Sequence, residues 1–168
     1  MKSICILRFS AIGDVTHVVP VILSLQEQIP GVQITWIIGS TEAKLVGDLP
    51  GVEFIIFDKK QGFNSYAHLW NALKGRHFDA FLHMQLALRA NLAAALVRAD
   101  LRVGYDQARS KELHGLFVNR RIPGAQYQHV LDCLSSFPVA LGLEPARPRW
   151  HIPLGAEDRA FADQFIDS

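Results

Sequence analysis

The sequence is poor in cysteine, nearly neutral in charge and without long apolar runs. Its two cysteines, Cys5 and Cys133, stand far apart in the chain, which excludes a disulfide framework and favours a reducing, cytoplasmic setting. The net charge is only +1, so no nucleic-acid partner is expected. No apolar run approaches the ~20 residues of a membrane-spanning helix, and the N-terminal one is too short for a signal peptide. Any membrane contact is therefore expected to be peripheral.

Common cofactor motifs are also absent. The loop that follows the first apolar run, RFSAIGDVTHVVP (8–20), contains one glycine, Gly13, whereas a dinucleotide fingerprint needs three at fixed spacing. The chain contains no GxxxxGK[ST] sequence, and its seven histidines show no metal-ligand spacing. Nicotinamide, P-loop and metal-dependent functions therefore find no support, and no cofactor is expected in this domain.

Apolar, β-branched runs alternate with amphipathic stretches along most of the chain. The predicted strands cover residues 3–9, 31–39, 52–58, 78–84 and 101–106. The predicted helices cover residues 14–30, 40–50, 65–76, 86–99 and 125–143, with Pro20 and Pro138 disturbing the first and the last. This alternation predicts an α/β fold, a Rossmann-like open parallel sheet with helices on both faces.

The last part of the chain has a different character. Three prolines fall between residues 145 and 153, and an amphipathic stretch with Ala156, Phe161 and Phe165 follows them. We therefore expect residues 1–145 to form one domain. Residues 146–168 would be a linker and the first helix of a C-terminal domain that lies beyond this sequence.

Polar residues follow the predicted strands at their carboxyl ends, where open α/β sheets bind ligands. They are Ser10, Asp14, Lys59, Lys60, Gln85, Asp106 and Arg109. The basic members are either solvated loop charges or an anion-binding set, for which arginine is well suited. Asp14 is either the N-cap of a helix or a general base that takes a proton from a hydroxyl group, and one residue can serve both roles.

The segment ILRFSAIGDVTHVVPVILSLQEQIPGVQITWII resembles the opening of the bacterial ADP-heptose:lipopolysaccharide heptosyltransferases, glycosyltransferase family 9. The family pattern is a strand, then basic-x-Ser-x-x-Gly-Asp, then proline six residues after the Asp. The matching residues are Arg8, Ser10, Gly13, Asp14 and Pro20. A second block, RVGYDQARSKELHGLFVNRRIPGAQYQHVLDCLSSFPVALGLEP, is similar at Gly104, around Arg109 and at His129, so the likeness covers nearly the whole chain. Gln85 and Arg89 also fit the family pattern, whereas His83 and Leu86 depart from it.

The resemblance implies a GT-B glycosyltransferase, in which two Rossmann-like domains face each other across a cleft. It implies that this N-terminal domain holds a lipopolysaccharide or lipid A core acceptor, and that the ADP-sugar donor binds the C-terminal domain. It also implies transfer of a heptose with inversion, with Asp14 as the catalytic base. The substrate-binding residues that it implies are Arg8, Ser10, Gly13, Lys59, Lys60, Gln85 and Arg109. It further implies a cytoplasmic enzyme in peripheral contact with the inner face of the inner membrane.

The 168-residue piece alone is then expected to be inactive. Two alternatives remain open at this point. One is a stand-alone Rossmann-like module that binds a nucleotide or an acidic glycan without catalysis. The other is a flavodoxin-like partner domain that docks through an exposed helix at residues 155–166.

Overall fold

The computed structural model describes residues 1–110, 113–124 and 128–166. Six strands form one sheet in the order β3-β2-β1-β4-β5-β6, and every neighbouring pair is parallel. The strands are β1 (Ser3–Leu7), β2 (Gln33–Gly39), β3 (Val52–Phe57), β4 (Phe78–His83), β5 (Ala99–Gly104) and β6 (Arg120–Arg121). This arrangement confirms the predicted α/β fold. The strand order reverses between β1 and β4, where a crevice opens at the carboxyl edge of such a sheet.

Eight α-helices accompany the sheet in the part of the chain that the structure describes. They are α1 (Ile12–Thr16), α2 (Val19–Gln28), α3 (Ser40–Val46), α4 (Phe63–Leu73), α5 (Leu88–Ala94), α6 (Val130–Ser135), α7 (Phe137–Ala140) and α8 (Ala156–Ile166). Short 3-10 helices at Lys59–Gln61 and His114–Phe117 lie in loops that follow β3 and β5.

The core lies on both faces of the sheet, because the central strands carry buried apolar residues on both faces. Successive residues of β1 point to opposite faces. Ile4 and Ile6 therefore join the cluster beneath α2, α6 and α7, while Cys5 and Leu7 join the cluster beneath α4 and α5. All four side chains are fully buried, so β1 is a rigid platform for the loop that follows it.

The structure corrects several predicted elements. The helix predicted over 86–99 ends at Ala94, and β5 begins at Ala99, inside that predicted helix. The helix predicted over 14–30 begins at Ile12 and is interrupted at His17, and Pro20 lies in the first turn of α2, where its missing N–H costs nothing. The helix predicted over 125–143 begins at Val130 and divides at Ser136, with Pro138 in the first turn of α7; residues 125–127 lie outside the described ones. The fifth strand ends at Gly104, which leaves Tyr105 and Asp106 in a loop.

The segment after α7 packs on the domain before α8 begins. The backbone N–H of Ala146 donates to the Ser135 carbonyl at 3.0 Å, and the Trp150 indole donates to the Thr16 carbonyl at 2.8 Å. The side chains of Ala156 and Phe165, part of the predicted apolar face of α8, lie outside what the structure describes. Among the described residues, no helix has the length and apolarity to cross a bilayer.

Candidate active site

A cleft of about 390 Å³ opens at the carboxyl ends of β1, β4 and β5. Its walls come from the loop after each of these strands and from the start of α6. The lining residues are Arg8, Ser10, Asp14, Gln85, Leu86, Tyr105, Arg109, Gln128, Val130 and Cys133. The structure thus brings together five predicted site residues from three separate loops, at the position where the strand order reverses.

Asp14 presents its carboxylate to this cleft from the first turn of α1. Ala11, rather than Asp14, is the N-cap residue, so the N-cap interpretation is wrong in position. The Oδ2 atom of Asp14 contacts the Arg8 guanidinium and accepts the Ala11 backbone N–H at 3.4 Å. The Oδ1 atom accepts no hydrogen bond from the described residues, and the side chain is 35% exposed. One carboxylate oxygen is therefore anchored and the other is open to a ligand.

Arg8 is the anchor that fixes the direction of Asp14. Its Nη2 atom contacts Asp14, while Nη1 donates to the Met84 carbonyl and, at 3.3 Å, to the Tyr105 hydroxyl. The Tyr105 hydroxyl itself donates to the Met84 carbonyl at 3.0 Å, and burial raises the pKa of this phenol to about 12. Arg8 is thus held by groups from the loops that follow β4 and β5.

Gln85 ties the loop after β4 to the loop after β1. Its Oε1 atom accepts the Phe9 backbone N–H at 2.6 Å, and its Nε2 atom donates to the Ser10 hydroxyl at 3.4 Å. Because Phe9 and Ser10 lead directly into α1, this bridge fixes the approach of the chain to Asp14. The side chains of Ser10 and Gln85 line both this cleft and a neighbouring one.

Arg109 brings a second cation to the cleft. Its Nη1 atom pairs with Oδ2 of the buried Asp106 at 2.5 Å, and its Nη2 atom donates to Oε1 of Gln128 at 3.0 Å. Asp106 also accepts the Arg109 backbone N–H at 3.0 Å. The Asp106 carboxylate therefore holds both the backbone and the guanidinium of Arg109 in place.

The two lysines lie farther along the same edge of the sheet. Lys59 lines a neighbouring cleft of about 410 Å³ that continues past Ser10 and Gln85 and also contains Arg89. Lys60 follows in the same 3-10 helix, and both lysines are exposed. The structure therefore places Lys59 beside the Asp14 cleft rather than in it.

Gly13 lies next to Asp14 in α1 with ordinary helical geometry. A Cβ atom built at Gly13 would have no other atom within 4 Å. The fold itself therefore does not require glycine at this position.

Sequence reasoning missed two residues of the site. Tyr105 supports Arg8, and Gln128 orients Arg109. The only signal for Tyr105 was its place next to Asp106 at a strand end. Gln128 gave none, because its contact joins segments far apart in sequence.

His129 is the N-cap residue of α6. Its Nδ1 atom accepts the Leu131 backbone N–H at 3.2 Å, and its ring meets His17 edge-on with centroids 5.7 Å apart. No group of three or more potential metal ligands occurs among the described residues.

A larger depression of about 840 Å³ lies at the opposite edge of the sheet. Its most prominent cation, Arg76, pairs with Glu53 at 2.5 Å and donates to the Thr35 hydroxyl at 2.9 Å. This hydrogen-bonded pair lowers the pKa of Glu53 and raises that of Arg76. The charges of Arg76 and Glu53 therefore satisfy each other within this depression.

Comparison with known proteins identifies the family of the chain. The profile of "Glycosyltransferase family 9 (heptosyltransferase)" matches residues 66–168. The chain is 43% identical over 166 residues to the lipopolysaccharide core heptosyltransferase OpsX of Haemophilus influenzae, covering 99% of this chain and 48% of that protein. It is 23% identical over 143 residues to lipopolysaccharide heptosyltransferase 1 of Escherichia coli K12, covering 77% of this chain and 44% of that protein.

Solved structures show the same fold. A family 9 glycosyltransferase of Veillonella parvula superposes with a TM-score of 0.82 at 22% identity, over 99% of this chain and 49% of the other. The E. coli heptosyltransferase WaaC with ADP superposes with a TM-score of 0.74 at 24% identity, over 99% of this chain and 54% of the other. The described domain therefore has the fold of one half of a GT-B glycosyltransferase. The chain spans about half the length of the relatives it matches, and it belongs to glycosyltransferase family 9, the heptosyltransferase family.

Proposed function

We propose that this chain is the acceptor-binding half of an inverting glycosyltransferase. The complete enzyme would move a heptose from an ADP-sugar to a hydroxyl group of a lipopolysaccharide core acceptor. Membership of the heptosyltransferase family supports the reaction class, and the names of the relatives supply the acceptor class. The observation that carries the proposal is the half-anchored carboxylate of Asp14 in an open cleft at the strand reversal.

The chemical step needs one base on the acceptor side. The free Oδ1 atom of Asp14 takes the proton of the acceptor hydroxyl as that oxygen attacks the anomeric carbon of the donor sugar. The bond between the anomeric carbon and the diphosphate oxygen breaks, and ADP leaves with the bonding electron pair. Attack from the face opposite the leaving group inverts the anomeric configuration.

Arg8 is a positioning residue in this proposal. Its contact with Oδ2 leaves Oδ1 as the oxygen that can take the proton, and the direction of Arg8 itself is set by Met84 and Tyr105. Because the carboxylate is already oriented, less conformational entropy is lost when the transition state forms. Arg8 thus serves the acceptor through Asp14.

The remaining polar residues fit an acidic, hydroxyl-rich acceptor. Arg109 contributes a positive charge that Asp106 and Gln128 orient, and Lys59 offers a cation along the adjoining cleft. Ser10 and Gln85 supply neutral hydrogen-bonding groups between them. Lys60 would add a positive charge next to Lys59, and Gly13 would leave room for the acceptor beside Asp14. The donor diphosphate would bind the other domain, where it does not meet the charge of Asp14.

The test is transfer of heptose from ADP-heptose by the complete protein, with Asp14→Asn compared with the wild type. Loss of the base is expected to lower kcat by about 100- to 10,000-fold while acceptor KM changes little. Asp48→Asn, at an exposed carboxylate outside the cleft, is the matched control and should keep full activity. Near-normal turnover of Asp14→Asn, in a folded protein, would remove Asp14 from the reaction.

The binding-module alternative is separated by calorimetry on the 168-residue chain. The proposal expects no appreciable affinity for ADP, because the donor site would lie on the other domain. Micromolar ADP binding to this chain would instead favour a nucleotide-binding module.

A further inference from the structure

The helices α4 and α5 expose a continuous apolar surface, here called the α4–α5 face. Phe63 is 90% exposed at the start of α4, and Trp70 is 44% exposed two turns later on the same side. Leu88 and Leu92, one turn apart on α5, are 54% and 50% exposed. Large apolar side chains scattered singly are ordinary, but a cluster across two helices marks an interaction surface.

The α4–α5 face encloses an apolar groove of about 420 Å³ that adjoins the carboxyl edge of the sheet. Its walls are Phe57, Lys59, Gly62, Phe63, Tyr66, Leu88, Arg89 and Leu92. Three of these residues, Phe57, Lys59 and Arg89, also line the cleft that continues to Ser10 and Gln85. The apolar groove and the polar cleft beside Ser10 and Gln85 thus adjoin each other at Lys59 and Arg89.

The charge of this region differs from that of the chain as a whole. Residues 58–100 contain six basic residues and three acids, an excess of three positive charges, although the whole chain has a net charge of only +1. Lys59, Lys60 and Arg89 flank one end of the α4–α5 face, and Lys74 and Arg98 flank the other, where they line a small depression together with Trp70. A cationic rim around exposed apolar side chains is the arrangement that binds anionic bilayers.

We propose that the α4–α5 face docks on the surface of an anionic phospholipid bilayer. Phe63, Leu88 and Leu92 enter the boundary between headgroups and acyl chains, while the basic rim contacts the lipid phosphates. This placement rests on the proposed function in one respect, since a lipid-anchored acceptor would then reach the Asp14 cleft from the docked edge. A protein partner would be expected to match the apolar face without needing this excess of one charge sign.

The test measures binding of the full chain to phosphatidylcholine vesicles with and without roughly 30% phosphatidylglycerol, an anionic lipid. No sugar acceptor is present. Binding is expected only on the anionic vesicles, and it should fall as salt rises from about 0.05 M to about 0.5 M because the lipid charge is screened. The emission of Trp70 should shift to the blue on binding, and Trp70→Phe should lose this shift.

Two pairs of substitutions separate the apolar and the charged contributions. Phe63→Ser with Leu88→Ser is expected to lower the partition coefficient at least tenfold, because two buried apolar side chains are lost. Lys74→Glu with Arg98→Glu is expected to lower it by more than tenfold on anionic vesicles, at about fivefold for each cation removed. Leu45→Ser with Lys44→Glu, on α3 at the other face of the sheet, is the matched control and should leave binding unchanged.

Equal binding by the Phe63/Leu88 variant and the wild type would overturn the proposal, and so would equal affinity for neutral and anionic vesicles. Concentration-dependent dimers that Phe63→Ser abolishes, in the absence of vesicle binding, would show that a second copy covers the face instead. A complete protein that transfers heptose to a water-soluble acceptor but ignores vesicles would refute the docking and keep the proposed function. A complete protein that binds anionic vesicles but transfers no heptose would keep the docking proposal and refute the proposed function.

Discussion

Two buried histidines make the folded domain sensitive to acid. His83 at the end of β4 and His114 in a 3-10 helix are both buried, and their ring centroids lie 4.4 Å apart. His83 Nε2 bonds Asn91 Oδ1 at 2.9 Å, and His114 Nε2 accepts the Tyr105 backbone N–H at 3.2 Å. The Nδ1 atoms have no partner among the described residues, so a proton added to the pair gains no hydrogen bond there.

Burial is the first cause of the low pKa values of this pair. It lowers the pKa of His83 to about 3, with the nearby His114 as the second cause, and it lowers the pKa of His114 to about 4. The unfolded chain binds protons near pH 6.5, so below that pH the unfolded state holds more protons than the folded one. The free energy of unfolding therefore decreases as the pH falls from about 6.5 toward 4.

The size of the effect follows from proton linkage. Between about pH 7.5 and about pH 5, each histidine removes roughly 2 kcal/mol of stability, and the pair removes roughly 4 kcal/mol as an upper bound. For a chain of this length, 1 kcal/mol corresponds to about 2–4 °C in Tm, so we expect a decrease of about 8–16 °C from the pair. Thermal melts followed by circular dichroism at the two pH values measure it.

Glutamine substitutions assign the effect to the pair. His114→Gln and His83→Gln should each recover about half of the loss between the two pH values. His68→Gln, at an exposed histidine of α4, is the control and should recover none. If the decrease in Tm is the same in His83→Gln and in the wild type, the reasoning about buried neutral imidazoles is wrong.

Two further substitutions test the support of the cleft. Arg8→Met removes the partner of Asp14 and one donor to Tyr105, so we expect about 1–2 kcal/mol less stability in denaturant titrations and a loss of kcat larger than the loss of acceptor affinity; an unchanged kcat would contradict the positioning role. Gly13→Ala should raise Tm slightly, because alanine is favoured over glycine in a helix by about 0.5–1 kcal/mol and the added Cβ has room, but it should raise acceptor KM in the complete enzyme. An unchanged KM would show that the acceptor stays away from Gly13.

The parallel sheet could be predicted because its strands are apolar on both faces. A run such as residues 3–7 has no polar face, which is the pattern of a strand covered by helices on each side. The alternation with amphipathic segments then determines the crossover connections. The position of Asp14 at the ligand edge followed from this alone, since the loop after β1 lies at the strand reversal.

The pairing of side chains inside the cleft could not be predicted. Arg8 faces Asp14 because the chain turns back between them, and its other partners, Met84 and Tyr105, come from distant loops. Periodicity gives the face of an element but not the direction of a side chain in a loop. The interruption of the first helix at His17 had a local signal in Pro20, although its exact position depends on the packing of Val18 and Val19 against the sheet.

The α4–α5 face shows a similar limit. The apolar residues of α4 and α5 fit a buried face equally well in the sequence, and only the structure shows that Phe63, Leu88 and Leu92 remain outside the core. Its basic rim could be counted from the sequence, but the proximity of Lys59 and Arg89 depends on the packing of two helices on one side of the sheet.

The most direct test of the central claim is a crystal structure of the complete protein with a core acceptor oligosaccharide bound. The account predicts an acceptor hydroxyl oxygen about 2.6–3.2 Å from Oδ1 of Asp14, with acidic groups of the acceptor toward Arg109 or Lys59. An acceptor bound away from this cleft, or a donor diphosphate seated against Asp14, would contradict it.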